Sequence, residues 1–375
     1  MEAEQLLYEP GAGWSKRQGN LAARKPQMVL VFGGRHLLEA GEGLDHIRQT
    51  YPGAHLVVAS TSGEITNTEV TEDRITATAV FFEKTTVSCA ATSVRHVDES
   101  YAAGRELAGK LSRPGLVHVF VVSDGALVNG TELARGFNEH LANGVLLTGG
   151  LAGDGNRFEK TLVGLDEQPV KGRIVAVGFY GDALRVSFGS AGGWESFGPE
   201  REVTKAHANT LFELDGKSAL ALYKTYLGAE AARLPGSALR FPLCVNAPGS
   251  AQTVVRTILS IDEPAQSMTF AGDIPVGSRV RFMRASYEEL IDGAAAAAEQ
   301  LPNQAASLVV CVSCVGRRIV LGQRTEEETE SVRAVLGPDA ILTGFYSYGE
   351  LAPAGRNVAC QLHNQTMTIT SFRED

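Results

Sequence analysis

Three stretches of this chain repeat one pattern: an apolar run, a loop of small residues, a glycine and a carboxylate. They are His55-Leu56-Val57-Val58-Ala59-Ser60-Thr61-Ser62-Gly63-Glu64, Val145-Leu146-Leu147-Thr148-Gly149-Gly150-Leu151-Ala152-Gly153-Asp154 and Ile341-Leu342-Thr343-Gly344-Phe345-Tyr346-Ser347-Tyr348-Gly349-Glu350. Repetition constrains the fold strongly, because like units bury their apolar faces against one another. Upstream of each stretch lies an apolar run and then a helical segment: 28–33 with 43–51, 116–123 with 130–143, and 308–313 with 326–336. Downstream comes a pair of short strands: 75–82 with 86–91, 173–180 with 184–188, and 358–363 with 367–370. Val94-Arg95 followed by Ser100-Tyr101 recurs as Val280-Arg281 followed by Ser286-Tyr287, each opening a helix.

Runs that are apolar at consecutive positions, such as Met28 to Phe32 and Leu116 to Val122, belong to strands covered on both faces. The expected class is α/β: repeated β-α-β units with additional antiparallel hairpins, mixed sheets covered by helices, and a mixed insertion between about Ser190 and Ala285. Residues 1–27 read as a polar lead-in, with Trp14 pinned to the body. The body divides into residues 28–200 and 201–375.

With 375 residues, 44% of them hydrophobic, the chain is long enough for two or three domains. A formal charge of -9 with scattered Lys and Arg excludes a phosphate-backbone partner, which needs a basic stripe. No apolar run approaches the roughly 20 residues that cross a bilayer. The acidic opening Met1-Glu2-Ala3-Glu4 is unlike a signal peptide, so the expectation is a cytoplasmic protein without membrane insertion. Five cysteines, an odd number, fit a reducing compartment. Cys311 and Cys314 lie on a strand-like run, where side chains three apart face opposite ways, and are expected to be packing residues.

Five motifs together resemble the FIST family: TSGEI at 61–65, GGLAGDGNRFEKT at 149–161, ELDGKSALALY at 213–223, GFYSYGELAP at 344–353 and LHNQTMTI at 362–369. The resemblance spans about Met28 to Phe372 and implies an N-terminal FIST domain over 28–200 and a C-terminal FIST domain over 201–375. It further implies an intracellular sensory protein, of a kind found in bacteria and eukaryotes, that binds a small amino-acid-like ligand and acts on a separate partner. A histidine kinase, a cyclic-di-GMP enzyme or a chemoreceptor would be such a partner. Stand-alone members of this length also resemble haem-binding nitric oxide sensors, which makes haem the alternative ligand.

The residues supply their own candidates. If the units pack side by side, Glu64, Asp154 and Glu350 converge on one rim, where open α/β sheets bind ligands. Small residues expose backbone N–H groups to an anion, while a carboxylate pairs with an ammonium. An amino acid carries both groups. The expected ligand set is Ser62, Glu64, Gly150, Asp154, Arg157, Tyr346, Tyr348 and Glu350, with Arg157 as the cation and the tyrosines as an aromatic wall. Against this stands the plainer role of such loops, in which glycine supplies positive φ and the acid bonds nearby backbone. Alternation also turns at least one of Phe345, Tyr346 and Tyr348 into the core.

A haem would need an axial histidine, and His207 and His363 are the candidates, with His118 read as structural. GGLAGDG lacks the lysine and following helix of a phosphate loop. No nucleophile elbow or metal-ligand spacing appears, so no catalytic or metal residue is expected. An enzyme using these carboxylates with Ser62 or Tyr346 is the second alternative.

Overall fold

In the computed structural model of the chain, the residues described are 1–22, 24–234, 236–250, 253–302, 306–353, 355 and 358–375. Each repeat opens with two parallel strands: Met28–Gly33 with His55–Ser60, Leu116–Ser123 with Leu146–Leu151, and Leu308–Cys314 with Ile341–Ser347. Parallel neighbours need a crossover long enough to return. Helices Arg35–Ala40 and Leu44–Thr50 serve the first pair, Gly130–Asn138 the second, and Val315–Leu321 with Thr325–Leu336 the third. Asn129 caps Gly130–Asn138 by accepting from the Thr131 and Glu132 amides, as a helix start requires.

Strands Ile75–Phe81, Arg173–Tyr180 and Met367–Glu374 then pair antiparallel beside the first strand of each unit. Beyond them the repeats exchange strands. Thr86–Ser93 leaves its own hairpin to pair with Arg173–Tyr180, and Leu184–Ala191 likewise joins Met367–Glu374. The N-terminal strand Glu2–Glu9 takes the corresponding place beside Ile75–Phe81. The opposite edges are exchanged too. Val163–Leu165 joins His55–Ser60, Gly349–Pro353 joins Leu146–Leu151, and Glu64–Thr66 joins Ile341–Ser347. Three six-stranded mixed sheets result.

One apolar centre is shared by all three sheets. Phe32 and Phe82 enter it from the first, Phe120 and Phe179 from the second, Phe345 and Phe372 from the third. The Phe32 and Phe345 rings lie 4.6 Å apart, and Phe179 and Phe372 lie 5.4 Å apart. Side chains of the opposite parity form separate helix-covered layers: Val29 and Val31 in the first sheet, Val119 and Val121 in the second, Val309 and Cys311 in the third. This explains the unbroken apolar runs, since both faces of each strand are buried.

The residues read as a lead-in form strands Glu2–Glu9 and Gly13–Gly19, and Leu6, Leu7 and Gln5 are buried there. Interleaved glutamates disguised the first of them. Trp14 does meet the body, its indole N–H donating to the Gly43 carbonyl at 3.3 Å. The insertion, residues 195–284, builds an eight-stranded antiparallel sheet with its own core around Tyr223, Phe270 and Phe282. Cys311 and Cys314 are buried free thiols.

Candidate functional site

The ends of the three parallel pairs meet, and their loops are stitched together pairwise. The Ser62 amide donates to the Tyr346 carbonyl at 2.8 Å and the Tyr346 amide to Gly63 at 2.8 Å, joining the first loop to the third. Gly153 and Gly155 amides donate to Ser60 and Thr61 carbonyls at 2.9 and 3.1 Å, joining the second to the first. The Tyr348 amide donates to Leu151 at 3.1 Å, closing the ring. Hydroxyls of Ser60 and Ser62 add bonds to the Gly153 and Gly155 carbonyls at 2.8 and 2.9 Å. A Cβ at Gly153 would stand 2.3 Å from the Ser62 Oγ, so only glycine permits the loops to come this close.

Glu64 and Glu350 occupy matching places beneath this ring, each fully buried in a cradle of hydroxyls. Thr61 donates to Glu64 Oε1 at 2.6 Å, while Thr71 Oγ1 and the Arg74 amide reach Oε2 at 3.1 and 3.3 Å. Ser347 donates to Glu350 Oε1 at 2.9 Å, and the Thr366 hydroxyl and amide reach Oε2 at 2.8 and 3.1 Å. Burial pushes both carboxyls up to about 8, against the opposing pull of the hydroxyl bonds and of Arg318 near Glu64 and Arg317 near Glu350.

The third acid is held differently. Asp154 Oδ1 accepts from Arg35 Nε and Arg157 Nε, both at 2.8 Å, and Oδ2 accepts from the Lys160 amide at 3.3 Å. Arg318 leans on the same rim, donating to the Ser62 carbonyl at 2.7 Å and to Glu72 at 3.1 Å. Phe158, exposed, stacks on Tyr348 at 4.5 Å, and the Tyr348 hydroxyl accepts from the Phe158 amide at 3.0 Å.

Of the eight residues named from the sequence, Ser62, Asp154, Arg157 and Tyr348 are brought together at the rim. Glu64 and Glu350 lie below it. Gly150 packs in the interior, where a Cβ would stand 2.5 Å from Val312 Cγ1. Tyr346 points into the helix-covered layer with Val309 and Ile369, its hydroxyl without a partner among the described residues. Sequence reasoning missed Arg35 and Arg318, which follow the first strands of their units, and the hydroxyls of Thr61 and Ser347. The hydroxyls carried a signal: T-S-G-E and S-Y-G-E both place one three residues before the glutamate.

A model of the FIST N domain matches residues 27–217, and a model of the FIST C domain matches residues 219–353. The chain belongs to the FIST family. FIST domains are sensory domains of signal-transduction proteins. No curated protein matched the chain. Among solved structures, a crystal structure of cyanuric acid hydrolase from A. caulinodans is 12% identical with a TM-score of 0.17, covering 77% of this chain and 99% of that chain. A score that low establishes no common fold. The rim is a joint product of the two FIST domains: Glu64–Thr66 of the N domain completes the sheet of Ile341–Ser347 in the C domain, and Gly349–Pro353 of the C domain pairs with Leu146–Leu151. The two family models meet at residues 217–219, inside the eight-stranded sheet.

The histidines do not fit a haem. His118 Nε2 bonds Thr148 Oγ1 inside the shared core, His363 Nε2 bonds the Ala352 carbonyl, and burial pushes the two imidazoles down to about 3 and about 4. His207 is exposed at the tip of an antiparallel hairpin. None of the three lines either of two cavities in the structure, of about 740 and 310 Å³. Among the described residues, no group of three or more His, Cys, Asp and Glu side chains is placed to hold a metal ion.

Proposed function

We propose that this FIST protein senses a small amino-acid-like molecule at the three-loop rim and passes the result to a separate partner. One observation carries this: Arg35 and Arg157 share a single carboxylate, Asp154, beside the exposed Phe158–Tyr348 stack. Both guanidiniums are partly exposed while Asp154 is buried beneath them. An arriving carboxylate takes the Nη edge of Arg157 and competes with Glu39 and Glu159 for Arg35, the ammonium meets Glu72 or the released Glu159 at the same rim, and the side chain lies on the aromatic pair. Because both FIST domains contribute to the rim, a ligand that prefers one packing of the loops shifts the balance between packings. The partner classes suggested by the family resemblance are a histidine kinase, a cyclic-di-GMP enzyme or a chemoreceptor.

Thermal denaturation with each of the common amino acids tests the reading. At least one should raise the midpoint saturably, and Arg157→Ala should abolish the rise. A protein that no amino acid stabilises, or an Arg157→Ala variant that responds like the parent, sinks it.

A further inference from the structure

The smaller cavity lies at the seam between the FIST domains and has no assigned role. Helix Gly130–Asn138 forms one wall through Thr131 and Ala134, strands Leu243–Asn246 and Thr253–Arg256 form another, and Leu362 with Pro275 complete it. Its volume, about 310 Å³, suits a molecule of small-metabolite size.

Arg256 is the unusual residue here. Its side chain is 5% exposed, and its guanidinium donates only to backbone carbonyls: Nη1 to Leu362 at 2.9 Å and Val255 at 3.3 Å, Nε to Asp273 at 3.3 Å. Among the described residues it makes no ion-pair contact and Nη2 has no hydrogen-bond partner, the carboxylates of Asp273 and Glu350 acting on it from a distance. A buried charge with no carboxylate in contact is costly. Gly272 is shaped to admit the group, since a Cβ there would stand 2.8 Å from Arg256 Nε. On the wall formed by the helix, Thr131 Oγ1 is buried with no hydrogen-bond partner among the described residues. Asp273 lines the same space, one oxygen accepting from Asn129 Nδ2 at 3.3 Å, and makes no ion-pair contact among the described residues. The remaining lining sets apolar Ala134, Val245, Val254, Pro275 and Leu362 beside polar Arg135, Asn138, Ser250 and Gln361.

We propose that this cavity binds a small monocarboxylate carrying a hydroxyl donor. The carboxylate pairs with Arg256 and accepts from Thr131, the hydroxyl donates to Asp273, and a branched apolar body lies against Val245, Val254 and Pro275. Such an occupant supplies the contacting carboxylate that Arg256 lacks among the described residues and ties the helix of the N domain to the inserted sheet of the C domain. The site is separate from the rim, and it stands or falls without the rim proposal.

The probe is 2-hydroxy-3-methylbutanoate, with its carboxamide as the uncharged control, and the readouts are calorimetric affinity and thermal midpoint. The acid should bind saturably with one site per chain and raise the midpoint by a few degrees, while the carboxamide does neither. Arg256→Lys keeps the charge but loses the planar fork and should weaken binding on the order of 10- to 100-fold. Should that variant fold poorly, Val254→Phe, which fills the cavity from a partly exposed position, should abolish binding, and Thr131→Val should weaken it several-fold. Arg157→Ala should leave this affinity unchanged, which separates the two sites. Equal binding of acid and carboxamide, or full affinity in Val254→Phe, overturns the proposal.

Discussion

The hydroxyl cradles of Glu64 and Glu350 and the guanidinium cradle of Asp154 solve one problem in two ways. In all three repeats a strand ends at the same rim and delivers an acid into a place from which water is excluded. A threonine or serine hydroxyl donates to a carboxylate and, by rotating, accepts from a carboxylic acid. The cradles around Glu64 and Glu350 therefore accommodate both protonation states without moving a heavy atom. A guanidinium only donates, so Arg35 and Arg157 make a site that holds an anion. Two repeats build neutral-tolerant closures and the middle one builds an ionic closure, which sets it apart at the rim.

The sharpest test of the contrast is the isosteric amide. Asp154→Asn keeps an oxygen for the two guanidiniums but removes the negative charge between them and sets a donor against the Lys160 amide where Oδ2 stood, leaving Arg35 and Arg157 uncompensated. The pair is only partly exposed to water on the arginine side. A loss of about 2 kcal/mol is expected, below the roughly 3–5 kcal/mol of a fully buried pair because solvent screens the arginines. Glu350→Gln, with its hydroxyl partners intact, should cost less than half as much near pH 5. Chemical denaturation of the two variants side by side checks this, and equal losses would erase the distinction between the cradles.

A second effect concerns pH. The folded protein holds Glu64 and Glu350 near 8, whereas the unfolded chain titrates them near 4.5, so between these values the folded state binds protons that the unfolded state has released. Stability then falls as pH rises through that window. Parent protein should lose several degrees of melting temperature between pH 5 and pH 8. The double variant Glu64→Gln with Glu350→Gln should show a flatter profile and overtake the parent at the alkaline end. A double variant with the parent's slope would mean that neither acid titrates in that range.

The pattern of residues carried much of this, and its gaps have physical causes. Parallel pairs and crossover helices were legible because strands buried on both faces read as continuous apolar runs, as in Leu116 to Val122. Strand exchange was not legible: Thr86–Ser93 has the same local pattern whether it closes its own hairpin or pairs with Arg173–Tyr180. The strand Glu2–Glu9 escaped notice because its glutamates reach polar partners at the sheet edge, Glu4 accepting from Tyr51 at 2.8 Å. At the rim, three glycine-acid loops announced a common meeting place. What they did not announce was depth, which set Asp154 beside guanidiniums and Glu64 and Glu350 beneath. Arg256 gave no signal at all, since its meaning comes from its burial with no carboxylate in contact among the described residues.

The smallest expected effect dissects a single cradle. Ser347 contributes one bond to Glu350, at Oε1, while Thr366 supplies two at Oε2. Ser347→Ala removes the one polar partner of Oε1 among the described residues and should cost about 1 kcal/mol, the usual net worth of such a bond. It also removes a group that steadies the carboxylate, so the Glu350 titration should move further upward. The carboxylic C=O stretch in difference infrared spectra reports this directly, with Thr61→Ala as the matched change at Glu64. A rise in both variants supports equivalent cradles, and a rise at one acid alone would show that the two repeats only look alike.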